Sequence, residues 1–119
     1  MSKTILLAED DSFLAETIQL ALEEQGMRII VAENGEEAIE KLSAHQPDLI
    51  LLDLLMPKKD GYAVLHHLKD GGSQVPVIIL SNLSDELDRE KCLQLGAKDY
   101  FIKSDMDEDE LWPKVQKYL

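Results

Sequence analysis

Short apolar runs that alternate with longer segments of helical period constrain this chain more than any other feature. Residues 5–8, 29–32, 49–52, 77–80 and 100–102 are unbroken apolar runs; too short for helices, they read as strands buried on both faces. Between them apolar residues recur at helical spacing. Leu14, Ile18, Ala21 and Leu22 share a face that stops at Gly26, and Ala38, Ile39 and Leu42 share another, opened by Asn34 with Glu37 and limited by Pro47. A third helix is expected over residues 61–69, with Val64, Leu65 and Leu68 inward and Gly71 and Gly72 turning into the fourth run. Ser84 is the expected cap of the fourth helix and Gly96 its end. In the fifth, Leu111, Trp112, Val115, Tyr118 and Leu119 form one stripe and the acidic run 105–110 reads as the solvated first turn. Pro113 is expected close enough to the start of that helix to cost no backbone hydrogen bond.

Strict alternation of strand and helix argues for a parallel sheet with right-handed crossovers and helices on both faces. The expected fold is α/β: a flavodoxin-like, doubly wound sheet of five parallel strands in the order 2-1-3-4-5, with five helices. At 119 residues the chain is expected to be a single domain, residues 1–119, with no output domain. An excess of 24 acidic over 12 basic residues, a formal charge of −12, opposes direct binding to nucleic acid or anionic lipid. No apolar stretch approaches the length of a membrane span, and no basic segment leads into a long apolar one. With a single cysteine, Cys92, read as a helix packing residue, the expected location is the cytoplasm. His45, His66 and His67 lie on or near helices and read as surface or boundary residues.

In doubly wound sheets the ligand sits beyond the carboxyl ends of the strands, where the strand order reverses. The residues just past the runs are Glu9 and Asp10 after the first, Asp53 after the third, Ser81 after the fourth and Lys103 after the fifth. Singly, an Asp there is a turn residue, a Ser a cap and a Lys a surface charge. Their convergence at four strand ends reverses that reading. Three carboxylates brought together repel unless a cation intervenes, and hard oxygen ligands at a hydrated site suit Mg²⁺. Asp53 can then attack phosphorus as a carboxylate nucleophile, with Mg²⁺, the Lys103 ammonium and the Ser81 hydroxyl neutralising the phosphoryl oxygens.

The sequence resembles the receiver domain of two-component response regulators over essentially its whole length. The resemblance rests on the segments ILLAEDD ending at Asp11, PDLILLD ending at Asp53, LLMP ending at Pro57, Asp60 with Gly61, VPVIILS ending at Ser81 and GAKDYFIK ending at Lys103. It implies that Asp53 is the phosphoacceptor, that Asp10 binds Mg²⁺ directly and Glu9 through water, and that the Leu55 backbone carbonyl is a further ligand. It also implies that Ser81 is a switch hydroxyl and Tyr100 a switch aromatic, turning inward to remodel the face of helix four, strand five and helix five. A histidine kinase or histidine phosphotransfer protein would be the donor and a downstream protein the partner. Such a domain is no enzyme on a separate substrate, though it catalyses its own Mg²⁺-dependent phosphorylation and slow autodephosphorylation.

Ser104 departs from the family pattern, which has proline after the lysine, often through a cis bond; before Ser a trans bond is expected, because cis there costs about 2.5–4 kcal/mol. Leu55 and Leu83, two residues beyond Asp53 and Ser81, are expected to border the site and to exclude a hydrolytic water, forming an apolar gate. The alternative function is a receiver-like interaction scaffold that is never phosphorylated. A haloacid dehalogenase-type phosphatase would want an Asp where Leu55 stands, and a flavodoxin-like carrier a Ser/Thr/Gly-rich loop where Glu9, Asp10 and Asp11 stand.

Overall fold

The computed structural model describes residues 3–83, 85–105 and 107–119. Five strands and five α-helices alternate: β1 (Thr4–Ala8), α1 (Ser12–Glu23), β2 (Arg28–Ala32), α2 (Gly35–His45), β3 (Leu49–Leu52), α3 (Gly61–Asp70), β4 (Val77–Ser81), α4 (Glu86–Gln94), β5 (Asp99–Ile102) and α5 (Glu108–Gln116), with a 3-10 turn at Lys103–Asp105. All strand pairs are parallel, in the order β2-β1-β3-β4-β5. The expected architecture is therefore the observed one.

Alternation along the strands divides the core in two. Leu6, Ala8, Ile50, Leu52 and Ile79 face the side packed by Ala38 of α2, Val64 and Leu65 of α3 and Cys92 of α4. Ile5, Leu7, Leu49, Leu51, Ile78 and Leu80 face Ile18 and Leu22 of α1 and Leu111 and Val115 of α5. The three inner strands are buried on both faces, apart from Thr4 at the start of β1. For β2 and β5 that expectation is corrected. Arg28 is exposed, and Ile29, Ile30, Val31, Phe101 and Ile102 are only half-buried, because an edge strand has a neighbour on one side alone.

The helix boundaries follow the expected signals with four differences. The expected cap Ser84 lies outside the described residues; α4 is capped by Asp85, whose carboxylate accepts from the Leu87 N–H at 2.9 Å. The acidic run does not form one helical turn: Asp105 closes the 3-10 turn, and α5 starts only at Glu108. Pro113 is consequently the sixth residue of α5, past the first turn, and removes the N–H that the Asp109 carbonyl would accept. The third helix runs one residue past its expected end, to Asp70. As expected, the Lys103–Ser104 peptide is trans, Cys92 is fully buried and His45, His66 and His67 are exposed.

α4 buries little besides Cys92 and leaves Leu87 and Leu93 exposed. Its main polar tie is to α3, where the Tyr62 hydroxyl donates to Asp88 and the Lys91 ammonium sits 4.3 Å above the Tyr62 ring. No helix among the described residues is long and apolar enough to cross a membrane.

Candidate functional site

The residues past β1, β3, β4 and β5 do converge at the carboxyl end of the sheet. β1 lies between β2 and β3, so the chain leaves β1 and β3 in opposite directions and opens a crevice between them. Glu9 and Asp53 sit in it almost fully buried, 2% and 5% exposed, whereas Asp10 points to solvent. Carboxylate oxygens of the three lie within 4.8 Å of one another. Local backbone fixes the set: the Glu9 N–H donates to the Ala32 carbonyl and the Asp53 N–H to the Ala8 carbonyl, extending the sheet ladder by one residue each way. Asp11 stays out of the cluster. It caps α1 by accepting from Phe13 and Leu14, while its own N–H donates to the Glu9 carboxylate at 3.2 Å and orients it.

Lys103 reaches into the crevice despite Ser104 after it. Its ammonium donates to Asp53 Oδ2 at 3.0 Å and pairs with Glu9 Oε1, a contact to Glu9 that the sequence reading missed. No spacing rule could have found it, since the partners lie about ninety residues apart in the chain. Burial pulls the Lys103 ammonium down, but hydrogen bonds to Glu9 and Asp53 outweigh it and hold the group above its usual range. Burial pushes Glu9 up to about 7; the hydrogen bond from Lys103 opposes the rise and the Asp53 charge adds to it.

Ser81 is fully buried at the end of β4, its hydroxyl accepting from the Leu83 N–H at 3.1 Å. Tyr100, 3% exposed, lies inward, and its hydroxyl donates to the Leu83 carbonyl at 2.6 Å. Burial raises the Tyr100 phenol, and Leu83 links it to Ser81, its N–H donating to the Ser81 hydroxyl and its carbonyl accepting from Tyr100. The two leucines differ: Leu55 stands 60% exposed beside Asp53, while Leu83 is half-buried against the core.

The cluster suits a hard divalent cation. Three carboxylates present only oxygen, two of them fixed by burial and one open to water, and the Leu55 carbonyl belongs to the residue two beyond Asp53. A raised Glu9 also dictates a pH dependence. A carboxyl with an ordinary value of 4.5 and a folded value near 7 stabilises the fold below 4.5, and that contribution is lost as pH rises through 7. In EDTA the melting temperature is therefore expected to fall between pH 5.5 and 8, by an amount on the order of 2 kcal/mol in stability. Added Mg²⁺ should offset the fall, and Glu9→Gln should flatten it. Melting curves for both proteins with the same slope against pH would refute the assignment to Glu9.

Comparison with known proteins points one way. A family profile described as the response regulator receiver domain matches residues 5–116. The chain is 38% identical over 103 residues to the alkaline phosphatase synthesis transcriptional regulatory protein PhoP of Bacillus subtilis, covering 87% of this chain and 43% of that one. It spans about half the length, or less, of the curated relatives it matches. Among solved structures, the receiver domain of the Francisella response regulator 1452 superposes with a TM-score of 0.92 at 33% identity, covering 98% of this chain and 96% of that one. The BeF3-activated N-terminal receiver domain of Klebsiella pneumoniae RstA gives 0.90 at 30% identity, with 97% of each chain covered.

Proposed function

Because this chain belongs to the response regulator receiver domain family, we propose that it is a phosphorylation-dependent switch whose phosphoacceptor is Asp53. One observation carries the reading: a buried carboxylate at the sheet's switch point, held by the Lys103 ammonium and within 4.8 Å of two further carboxylates. Residues 1–119 act as one receiver domain in this reading. Asp10, Asp53 and the Leu55 carbonyl would hold Mg²⁺ directly and Glu9 through water. The ion, when bound, supplies positive charge to the phosphoryl oxygens and relieves the repulsion among the acids.

This chain's own residues supply the rest. An Asp53 carboxylate oxygen forms the new bond to phosphorus while the bond from phosphorus to the donor breaks, its electron pair leaving with the donor. For a phosphohistidine donor the departing imidazole takes up a proton. Lys103 compensates the phosphoryl charge from the β5 side, and the Ser81 hydroxyl donates to a phosphoryl oxygen from the β4 side. That movement of Ser81 trades against the bond its hydroxyl accepts from the Leu83 N–H, and Leu83 in turn accepts from the Tyr100 hydroxyl, which couples Asp53 to β5 and to the face formed with α4 and α5. The donor is a histidine kinase or histidine phosphotransfer protein, and the readout is binding of a downstream protein.

Intact mass after incubation with acetyl phosphate and Mg²⁺ tests the reading. A gain of one phosphoryl group is expected. No gain, with binding of a partner protein unaffected, would favour a receiver-like scaffold. The persistence of the signal is a separate expectation. Leu55, exposed beside Asp53, and Leu83, half-buried against the core, offer no side-chain hydrogen bond to a hydrolytic water, and positioning dominates such chemistry. Leu55→Asn with Leu83→Glu should shorten the phosphoryl lifetime about 10-fold. An unchanged decay rate at fixed Mg²⁺ and temperature would refute the gate.

A further inference from the structure

The turn from β3 into α3 carries Asp53 and Leu55, and the first residues of two helices hold it from two sides. At its base the Gly61 N–H donates to the Leu54 carbonyl at 2.9 Å, and a Cβ on Gly61 would stand 2.4 Å from the Asp53 carbonyl oxygen. At its far end the Gly35 N–H donates to the Lys59 carbonyl at 2.9 Å, and a Cβ on Gly35 would stand 2.1 Å from that oxygen and 2.6 Å from the Lys59 carbonyl carbon. The first N–H of a helix has no acceptor within its own helix. In α2 that donor is spent on the turn.

Gly35 needs to be glycine for space. Its φ is not in the left-handed region, and what excludes a side chain is backbone, which cannot rotate away as a side chain can. The turn between the two anchors has little slack. Lys58 sits at φ +67°, a conformation disfavoured for a residue with a Cβ, and the Lys59 N–H closes back on the Pro57 carbonyl at 2.8 Å. A Cβ at Gly35 would push the Lys59 carbonyl back by about 1 Å to reach ordinary contact distance. With Lys58 already strained, that displacement passes up the turn to Leu55 and Asp53.

We propose that Gly35 is a positioning residue for the phosphorylation site: by admitting the Lys59 carbonyl against the first turn of α2, it seats the β3–α3 turn so that Asp53 and the Leu55 carbonyl bind a divalent cation together. The proposal rests on the reading of Glu9, Asp10, Asp53 and Leu55 as the Mg²⁺ site. It extends that site to α2, which contributes no ligand to it.

Calorimetric titration of Mg²⁺ into the full chain tests it, with melting temperature in EDTA measured beside it. Gly35→Ala is expected to weaken Mg²⁺ binding about 10-fold, the scale for losing a group that orients a ligand. Adding Lys58→Gly should let the turn absorb the displacement and recover most of that affinity, without restoring melting temperature in parallel. A purely structural role predicts that affinity simply tracks stability through both variants, and that result would overturn the proposal, as would wild-type affinity in Gly35→Ala. Asp10→Asn separates the two levels: if it binds Mg²⁺ as the wild type does, the metal-site reading falls and the proposal with it. Loss in Asp10→Asn with no loss in Gly35→Ala overturns the role of Gly35 alone. Should Gly35→Ala not fold, amide exchange in the wild type decides. The Gly35 N–H should exchange several-fold more slowly with Mg²⁺ than in EDTA, and an unchanged rate rejects the coupling.

Discussion

Asp53→Asn is expected to abolish phosphoryl incorporation from acetyl phosphate, a loss of at least about 10³-fold, while leaving the fold intact. The substitution keeps the shape of the side chain and removes its nucleophilic oxygen pair. Burial at 5% exposure means that shape matters, so a larger or smaller residue would confound chemistry with packing. The ammonium of Lys103 keeps one buried partner, Glu9, so the variant leaves no cation stranded. Removing the Asp53 charge also takes away one of the influences that raise Glu9, which lowers the pH at which Glu9 ionises and narrows the loss of stability above neutrality. Intact mass and a melting curve on the same sample check both halves. Undiminished incorporation would place the acceptor elsewhere.

Lys103→Met should have the second largest effect, and its size depends on pH. Lys103 is the cation that contacts both Glu9 and Asp53, and its side chain is 14% exposed. Replacing it with an apolar residue of similar length leaves two buried carboxylates facing each other, and stranding buried charge costs about 3 kcal/mol. For a domain of this size that is a fall on the order of 10 °C in melting temperature at pH 8 in EDTA. The Lys103 hydrogen bond is the main influence lowering Glu9, so its loss moves the Glu9 carboxyl further up from about 7. At pH 6 Glu9 then carries its proton, the repulsion disappears and the loss should shrink to less than half. Mg²⁺ at pH 8 should recover part of the stability by replacing the missing charge. Phosphoryl uptake should still fall about 10²-fold or more, because the group that neutralises the phosphoryl oxygens from the β5 side is gone. A destabilisation that is equal at pH 6 and pH 8 would show that Lys103 acts through packing alone.

Much of this was legible before any coordinates. Unbroken apolar runs of three or four residues between helical-period segments admit few architectures, because a parallel sheet buried on both faces is the ordinary way to satisfy them. The rule that ligands gather past the strand ends then singled out Glu9, Asp10, Asp53, Ser81 and Lys103, which the fold does bring to one end of the sheet. Those inferences need only local pattern and connectivity. Asp105, Asp107 and Pro113 misled because a helix start is decided within a few residues: α5 begins at Glu108, after the 3-10 turn at Lys103–Asp105, and that start still leaves Pro113 past the first turn.

Tertiary structure alone decided which of the acids are buried, which of them share a cation, and which backbone groups brace the site. Adjacent residues Glu9 and Asp10 are indistinguishable in sequence, yet one is sealed beneath Lys103 and the other meets solvent, because consecutive side chains leaving a strand point to opposite sides. Likewise Gly35 reads as an unremarked first residue of a helix until the fold sets the Lys59 carbonyl against it. Periodicity and spacing report what a residue shares with its chain neighbours. A charge pair spanning most of the chain, or a carbonyl seated where a side chain would be, depends on distances between segments that only packing sets.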